Sequence, residues 1–138
     1  MYRICAFAVV LACTQSVAAQ DASATLSIDL NAVEQTETGC LLTFVANNTL
    51  ATNLEGVVFE TVLFDAGGQV TQMTMLDFGP LPVQSTRVRQ FNLATQSCAA
   101  IGRVLFNGIQ SCVGPNLAPE TCAMALSVST RTDIEVSR

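Results

Sequence analysis

The sequence predicts a small all-β domain made of two packed sheets. Three observations support this prediction: short apolar or alternating runs recur along the chain, turn residues separate them, and four cysteines follow a predicted leader. The runs begin at intervals of roughly 8–15 residues, as short strands joined by turns do. No segment has the apolar periodicity of a convincing helix.

The first residues have the organisation of a secretory signal. Arg3 supplies a positive charge, Ile4 to Ala12 is an apolar run, and small residues follow that suit signal peptidase. We therefore predict a signal peptide over residues 1–19 and one β-sandwich domain over residues 20–138, in a periplasmic or secreted protein. The apolar run is shorter than the about 20 residues that cross a bilayer. Cys13 supports a minor alternative, in which the protein is anchored by a lipid on that cysteine.

The first four strands are predicted at Leu26–Leu30, Cys40–Ala46, Leu54–Phe64 and Gln69–Phe78. The first alternates apolar and polar residues, which indicates a half-buried strand. The second is apolar enough to be covered on both faces and ends at Asn47 and Asn48. Between the third and fourth, Asp65 is followed by Ala66, Gly67 and Gly68, which favour a tight turn because glycine accepts positive φ angles.

Three further strands are predicted at Thr86–Leu93, at Ala100–Asn107 and along one long run from Met124 to Val136. Prolines at 80 and 82 end the fourth strand because proline has no N–H for a sheet ladder. Gly108 to Thr121 is predicted to be a loop. About seven short strands in one domain of this length are typical of an immunoglobulin-like antiparallel β-sandwich.

The predicted domain contains four cysteines, Cys40, Cys98, Cys112 and Cys122. An even number in an exported chain favours disulfides, and the paired C-x-x-C or histidine ligands of a zinc site are absent. The second and sixth strands of such a sandwich run in the same direction on opposite sheets. Cys40 and Cys98 therefore fall at one end, and Cys112 and Cys122 at the other. Of the three pairings, we favour Cys40–Cys98 with Cys112–Cys122.

The composition disfavours several classes of function. The formal net charge is −5 and the chain has no lysine, histidine or tryptophan, which disfavours binding to nucleic acid or to anionic membrane surfaces. Without histidine or lysine, the Ser–His, Cys–His and Ser–Lys nucleophile pairs cannot form. We therefore predict no catalytic residue, no cofactor and no metal site.

Carboxylates are the remaining catalytic candidates. Glu60, Asp65 and Asp77 lie on or beside the third and fourth strands, and paired carboxylates can hydrolyse glycosides. Sugar sites normally add aromatic platforms, and the predicted domain has no Trp or Tyr, so solvated surface acids are favoured. A calcium loop at Asp65 is disfavoured because alternating oxygen ligands are missing. Asn47 begins a formal N-glycosylation sequon, for which we favour a strand-end turn.

Two surfaces are candidates for partner contact. Arg87 and Arg89 share one side of the fifth strand, and Arg103 follows on the next predicted strand, so the three could form a small anion-binding patch. Arginines on an edge strand equally serve to discourage sheet-to-sheet aggregation. The loop between Cys112 and Cys122 is the second candidate, because a disulfide and two prolines would hold it stiff.

The third strand and the turn after it resemble a known pattern. Thr61-Val62-Leu63-Phe64-Asp65, then Gly67 or Gly68 and an apolar strand, resembles the signature of FxLYD-type domains, small immunoglobulin-like sandwiches of exported bacterial proteins. Thr61 stands where that family has Phe, and Phe64 where it has Tyr. The similarity covers about Cys40 to Leu93, and the whole chain resembles small exported proteins of alphaproteobacteria. The resemblance implies a fold and a compartment but no reaction.

We therefore expect a non-enzymatic interaction module of the periplasm or cell envelope, which binds a protein or an envelope component. Two alternatives remain open. One is a carboxylate-based hydrolase of envelope glycans, which requires Glu60 or Asp77 to share a cleft with another acid. The other is a structural envelope protein, which requires self-association.

Overall fold

A computed structural model describes residues 23–138, so the predicted signal peptide and Cys13 lie outside the described residues. Within this part, the strands are Leu26–Gln35 (β1), Gly39–Asn48 (β2), Gly56–Phe64 (β3), Val70–Asp77 (β4), Ser85–Ala94 (β5), Arg103–Val113 (β6), Leu126–Thr130 (β7) and Glu135–Ser137 (β8). A 3-10 turn at Cys98–Ala100 precedes β6, and a five-residue helix, Thr121–Ala125 (α1), precedes β7. No helix of residues 23–138 has the length and apolar character that a membrane span requires.

The strands form two sheets of four, which pack face to face. Sheet I has the order β5-β2-β1-β7, and sheet II has the order β4-β3-β6-β8. The predicted all-β, two-sheet architecture is therefore confirmed. The prediction that all pairs are antiparallel is wrong, because β7 runs parallel to β1 and β8 runs parallel to β6.

The two parallel strands come from one segment that was predicted as a single long strand. Its first two residues, Met124 and Ala125, lie at the end of α1, so Met124 is helical rather than extended. The chain then leaves sheet I after Thr130 and enters sheet II at Glu135. Leu126 and Ile134 are both buried, so the alternation in the sequence reflects two short strands that face the same core.

Strand β6 is longer than predicted. It continues to Val113, and its register with β3 shifts twice, which leaves Asn107 and Gln110 without a partner residue on β3. Each of these two register shifts is a β-bulge, which adds one residue to β6 and reverses the alternation of its side chains between the two faces of the sheet. The regular alternation that predicts a strand is therefore interrupted in this part of the sequence. Cys112 therefore lies within β6 and not in a loop.

The core is organised around phenylalanine rings from both sheets. Phe44 and Phe91 come from sheet I, and Phe59 and Phe106 come from sheet II. The ring of Phe78, just after β4, lies with its centroid 5.2 Å from that of Phe91, 5.4 Å from Phe59, 5.6 Å from Phe44 and 6.3 Å from Phe106. Edge-to-face and tilted ring pairs of this kind add to the free energy gained from burial.

The two disulfides close opposite ends of the sandwich. Cys40 pairs with Cys98 at a Cα–Cα distance of 4.9 Å, which ties β2 of sheet I to the turn that leads into β6. Cys112 pairs with Cys122 at 6.1 Å, which ties the end of β6 to α1. The predicted pairing is confirmed.

A hydrogen-bonded carboxylate joins β7 to β1. Asp29 accepts hydrogen bonds from the Ser129 hydroxyl at 2.7 Å, from Arg131 Nε at 3.0 Å and from the Asn31 amide at 3.4 Å. Burial alone would raise the pKa of Asp29. The hydrogen bonds from Ser129, Arg131 and Asn31, with the charge of Arg131, outweigh burial, so the pKa of Asp29 lies below its ordinary value.

We predict that Asp29→Asn lowers the free energy of unfolding by about 0.5–1 kcal/mol at neutral pH, since one partner of this partly exposed pair is Arg131 at the surface. A lowered pKa in the folded state stabilises above the unfolded pKa, and the stabilisation is lost as the pH falls through the folded pKa. In urea unfolding, the difference in the free energy of unfolding between the wild type and Asp29→Asn should therefore disappear below about pH 4. A difference that stays constant through the acid range would contradict this account.

Candidate interaction surface

The outer faces of the two sheets differ in chemistry. The outward residues of sheet I are mostly polar, as in Ser27, Asp29, Thr43, Asn47, Thr86, Gln90, Asn92, Ser127 and Ser129, with Leu41, Val45 and Val88 as apolar exceptions. The outward residues of sheet II include a continuous apolar group, which we call the apolar face: Val58, Val62, Phe64, Val70, Met73, Met75 and Leu105. An exposed apolar patch on a folded protein commonly marks an interaction site.

Strand β4 supplies the most exposed part of the apolar face. Met73 lies opposite Val62, which in turn lies opposite Leu105 on β6, so one apolar row crosses three strands. Met73 is 60% exposed and Met75 is 50% exposed. Methionine side chains are unbranched and polarizable, so they adapt to the shape of a partner surface.

Carboxylates lie within the apolar face and at its borders. Glu60 lies opposite Met75 and accepts a hydrogen bond from the Asn107 amide, and Asp77 ends β4 on the same side of the sheet. Glu135 lies opposite Arg103 across the β6–β8 pair. Among the residues that line this face in the described structure, the negative charges therefore exceed the positive.

The guanidinium of Arg103 stacks on an aromatic ring. Its central carbon lies 4.1 Å from the centroid of the Phe64 ring, at the end of the apolar face near the β3–β4 turn. A cation over a ring face is attracted by the ring quadrupole. Arg103 therefore covers one end of the apolar face and shields Phe64 from solvent.

Arg87 and Arg89 lie on sheet I and not beside Arg103. They are opposite Ala46 and Phe44, both buried, so the two arginines lie on the side of β5 that faces sheet II. Arg103 belongs to sheet II and lies at the end marked by Cys98, whereas Arg87 lies near the other end. The structure therefore does not bring the three arginines into one patch.

Arg89 bridges the two sheets at their edge. Its Nε donates to the carbonyl oxygen of Phe78 at 2.6 Å, and its Nη2 donates to that of Pro80 at 2.9 Å. Its Nη1 donates to the adjacent carbonyl of Val88 at 3.0 Å, so all three guanidinium nitrogens bond to backbone oxygens. A charged side chain that points inward from an edge strand also discourages pairing with a further strand.

The other sequence candidates have structural roles. Asp65 accepts hydrogen bonds from the N–H groups of Gly67 and Gln69, both at 2.9 Å, and Gly68 has a φ of 83°, which confirms the predicted turn. Asn48 ends β2, is fully buried and donates to the carbonyl oxygen of Leu81 at 2.8 Å. Glu60 and Asp77 lie on the open outer face of sheet II, as diagonal neighbours across the β3–β4 pair.

The segment between the second pair of cysteines also exposes apolar side chains. Met124 in α1 is 81% exposed, and Val113 at the end of β6 is 50% exposed. The disulfide between Cys112 and Cys122 spans this segment, as the sequence predicted. This segment is a second and smaller candidate surface.

The open cavities in the part of the chain that the structure describes include three that the sequence candidates or the core border. One of about 620 Å³ is lined by Val33, Cys98, Ile101, Ile134 and neighbours, and one of about 340 Å³ by Phe106, Ile109, Ala123, Leu126 and neighbours. A third, of about 390 Å³, brings Asp65 and Arg103 together with Asp133 and Glu135. Among residues 23–138, no group of three or more His, Cys, Asp or Glu side chains is arranged to hold a metal ion.

Comparisons with protein-family models, with curated proteins and with solved structures found no match.

Sequence reasoning did not identify the apolar face. The signal in the sequence was β4, where Met73, Met75 and Leu76 place apolar residues on both sides of an edge strand. A strand with two apolar sides needs a cover on each, and in the described structure the outer side of β4 is exposed.

We predict that Arg89→Met destabilises the fold by about 1–3 kcal/mol, because two carbonyl oxygens lose a charged hydrogen-bond donor. Arg87→Met is the matched control, since Arg87 lies on the same side of β5 and its guanidinium bonds only to the adjacent carbonyl of Thr86. It should change the free energy of unfolding by less than about 0.5 kcal/mol. Equal effects of the two substitutions in urea unfolding would show that the bridge to Phe78 and Pro80 contributes nothing.

Proposed function

We propose that the chain is an exported, non-enzymatic interaction module of the periplasm or cell envelope, which binds a protein partner through the apolar face. The observation that carries this proposal is the contrast between the two outer faces, since that of sheet I is mostly polar and that of sheet II carries a group of apolar side chains with two exposed methionines. We also propose that the fold is immunoglobulin-like and of the FxLYD type, which is compatible with the two packed sheets. Two disulfides fit an oxidising compartment such as the periplasm or the extracellular space.

The exposed methionines of the face suit a protein contact. Full burial of a fully exposed methionine side chain contributes about 1.5–3 kcal/mol. Since Met73 is 60% and Met75 is 50% exposed, their burial together would contribute about 1.7–3.3 kcal/mol toward the about 8 kcal/mol of a micromolar affinity. Glu60 and Asp77 beside them would select the partner by charge. The polar outer face of sheet I supplies the solvated surface that such a module needs on its other side.

The two alternatives have less support. A carboxylate-based hydrolase needs acids in a cleft with sugar-binding rings, whereas Glu60 and Asp77 lie on an open sheet face beside methionines. A structural envelope protein would need self-association, which the carboxylates around the apolar face oppose. Sedimentation at high protein concentration separates that alternative from binding to a different partner.

We predict that Met73→Glu with Met75→Glu abolishes partner capture, because two charges would have to be buried in the contact. The measurement is quantitative proximity labelling in the envelope of cells that export the tagged protein. Labelling of the specific partner should fall at least tenfold, while the thermal midpoint of the purified variant stays near that of the wild type.

Val88→Glu is the matched control, since Val88 is 56% exposed and lies outward on the other long edge strand, β5. It should leave the labelling pattern unchanged. The proposal fails if both variants keep the wild-type partners, or if both lose them to the same degree.

A further inference from the structure

The edges of the two sheets are not equally protected. β7 and β8 are short, with five and three residues, and β5 carries Arg87 and Arg89 on its inner side. Short strands and inward charges are both features that prevent the addition of a further strand. β4 has eight residues, and from Val70 to Leu76 it contains no charge and no proline. Its one irregularity is the bulge at Thr71, which lies outside the regular stretch 72–77. In the described part of the chain, this stretch is the one long edge that has neither an inward charge nor a bulge.

The backbone of β4 presents hydrogen-bonding groups at this edge. The N–H of Phe78 donates to the carbonyl of Val57 at 2.8 Å. This bond determines which residue pairs of the antiparallel β3–β4 ladder are hydrogen-bonded and which are not. Because bonded and non-bonded pairs alternate along such a ladder, Met73, Met75 and Asp77 point their N–H and C=O groups away from β3. The register is regular from Gln72 to Asp77, so these groups form an evenly spaced row.

The side chains beside this row specify the chemistry of an occupant. Met73 and Met75 lie on the outer face next to the edge, so an added strand would place apolar side chains against them. Asp77 lies on the same side at the end of the row, and Glu60 lies one strand further in. An occupant with basic residues that flank its apolar ones would meet these carboxylates, whereas a second copy would bring further carboxylates to the same place.

We infer that β4 accepts an extended segment of the partner as an additional strand of sheet II, with outward apolar residues at its centre and outward lysines or arginines at its ends. This inference rests on the proposed function and specifies the form of its partner. Backbone hydrogen bonds to Met73 and Met75 give affinity, and the outward side chains give selectivity.

The direct test is amide hydrogen exchange on the full domain with a peptide probe. The probe is Lys-Thr-Val-Thr-Val-Thr-Lys at millimolar concentration, whose alternate residues place two valines and two lysines on one side in either orientation. Exchange of the Met73 and Met75 amides should slow at least tenfold, while the outward amides of β5 stay unchanged. The same peptide with glutamates in place of the lysines should protect them much less.

Three results would overturn the inference. They are no protection by the basic peptide, equal protection by the acidic one, and protection at Met73 and Met75 that rises with protein concentration without peptide. The last result would assign the edge to a second copy of this chain.

Proline at position 75 separates this inference from the proposed function. Met75→Pro removes an N–H that points to the open edge and leaves the hydrogen bonds to β3 in place, so partner labelling in the envelope should fall at least tenfold. Gln90→Pro is the control. The Thr95 N–H donates to the Thr38 carbonyl, and bonded and non-bonded pairs alternate from there along the β2–β5 ladder. The Gln90 N–H therefore points away from β2, to the other open edge. If Met75→Pro keeps the partner and Met73→Glu with Met75→Glu loses it, the apolar face binds without strand addition. If both keep it, the proposed function fails as well.

Discussion

The packing of Phe78 holds β4, the strand that carries the exposed methionines, against the core and against β5. Its ring lies against rings from both sheets, its N–H bonds to Val57 of β3, and its carbonyl oxygen accepts from Arg89 of β5. One residue therefore holds the end of β4, the edge of β5 and the centre of the core together. Since the chain crosses from sheet II to sheet I immediately after it, the spacing of the two long edges is set at this point.

The residues that follow Phe78 make this crossing rigid. Leu81 exchanges two backbone hydrogen bonds with Leu54, and its carbonyl oxygen also accepts from the buried Asn48 side chain. Asn48 in turn closes the end of β2 by accepting from the N–H of Leu50 at 2.9 Å. The polar groups of the buried residues Asn48 and Leu81 are thus bonded to protein partners, which holds the end of β4 in place while its outer edge stays open to solvent.

Much of the fold could be predicted from the sequence, because most of its strands obey simple periodicity. Leu26, Ile28 and Leu30 alternate and are fully buried, and the two disulfides follow from the ends at which the cysteines lie. Periodicity failed at β6, where two bulges reverse the alternation, and at the last strand, where two segments with the same parity belong to different sheets. A single sequence does not indicate either feature, since both the bulges and the change of sheet depend on which strand lies beside the segment in the fold.

The candidate site was less predictable than the fold. Arg87 and Arg89 were identified correctly as sharing one side of a strand, but that side proved to face sheet II, where Arg89 bonds to Phe78 and Pro80. The exposure of Met73 and Met75 depends on β4 being an edge strand, and strand order is a tertiary property. Sequence alone could show that β4 is apolar on both sides, but not that one of those sides has no cover among the described residues.

The claim on which this account depends is that β4 is an open edge with an alternating backbone, and native-state hydrogen exchange of the dilute domain alone tests it most directly. The amides of Thr74 and Leu76, which point to β3, should be strongly protected. Those of Met73 and Met75 should exchange at least a hundredfold faster, as solvent-facing amides in an unpaired edge do. Equal protection of all four amides in the monomer would contradict the account, because it would mean that this edge is already covered.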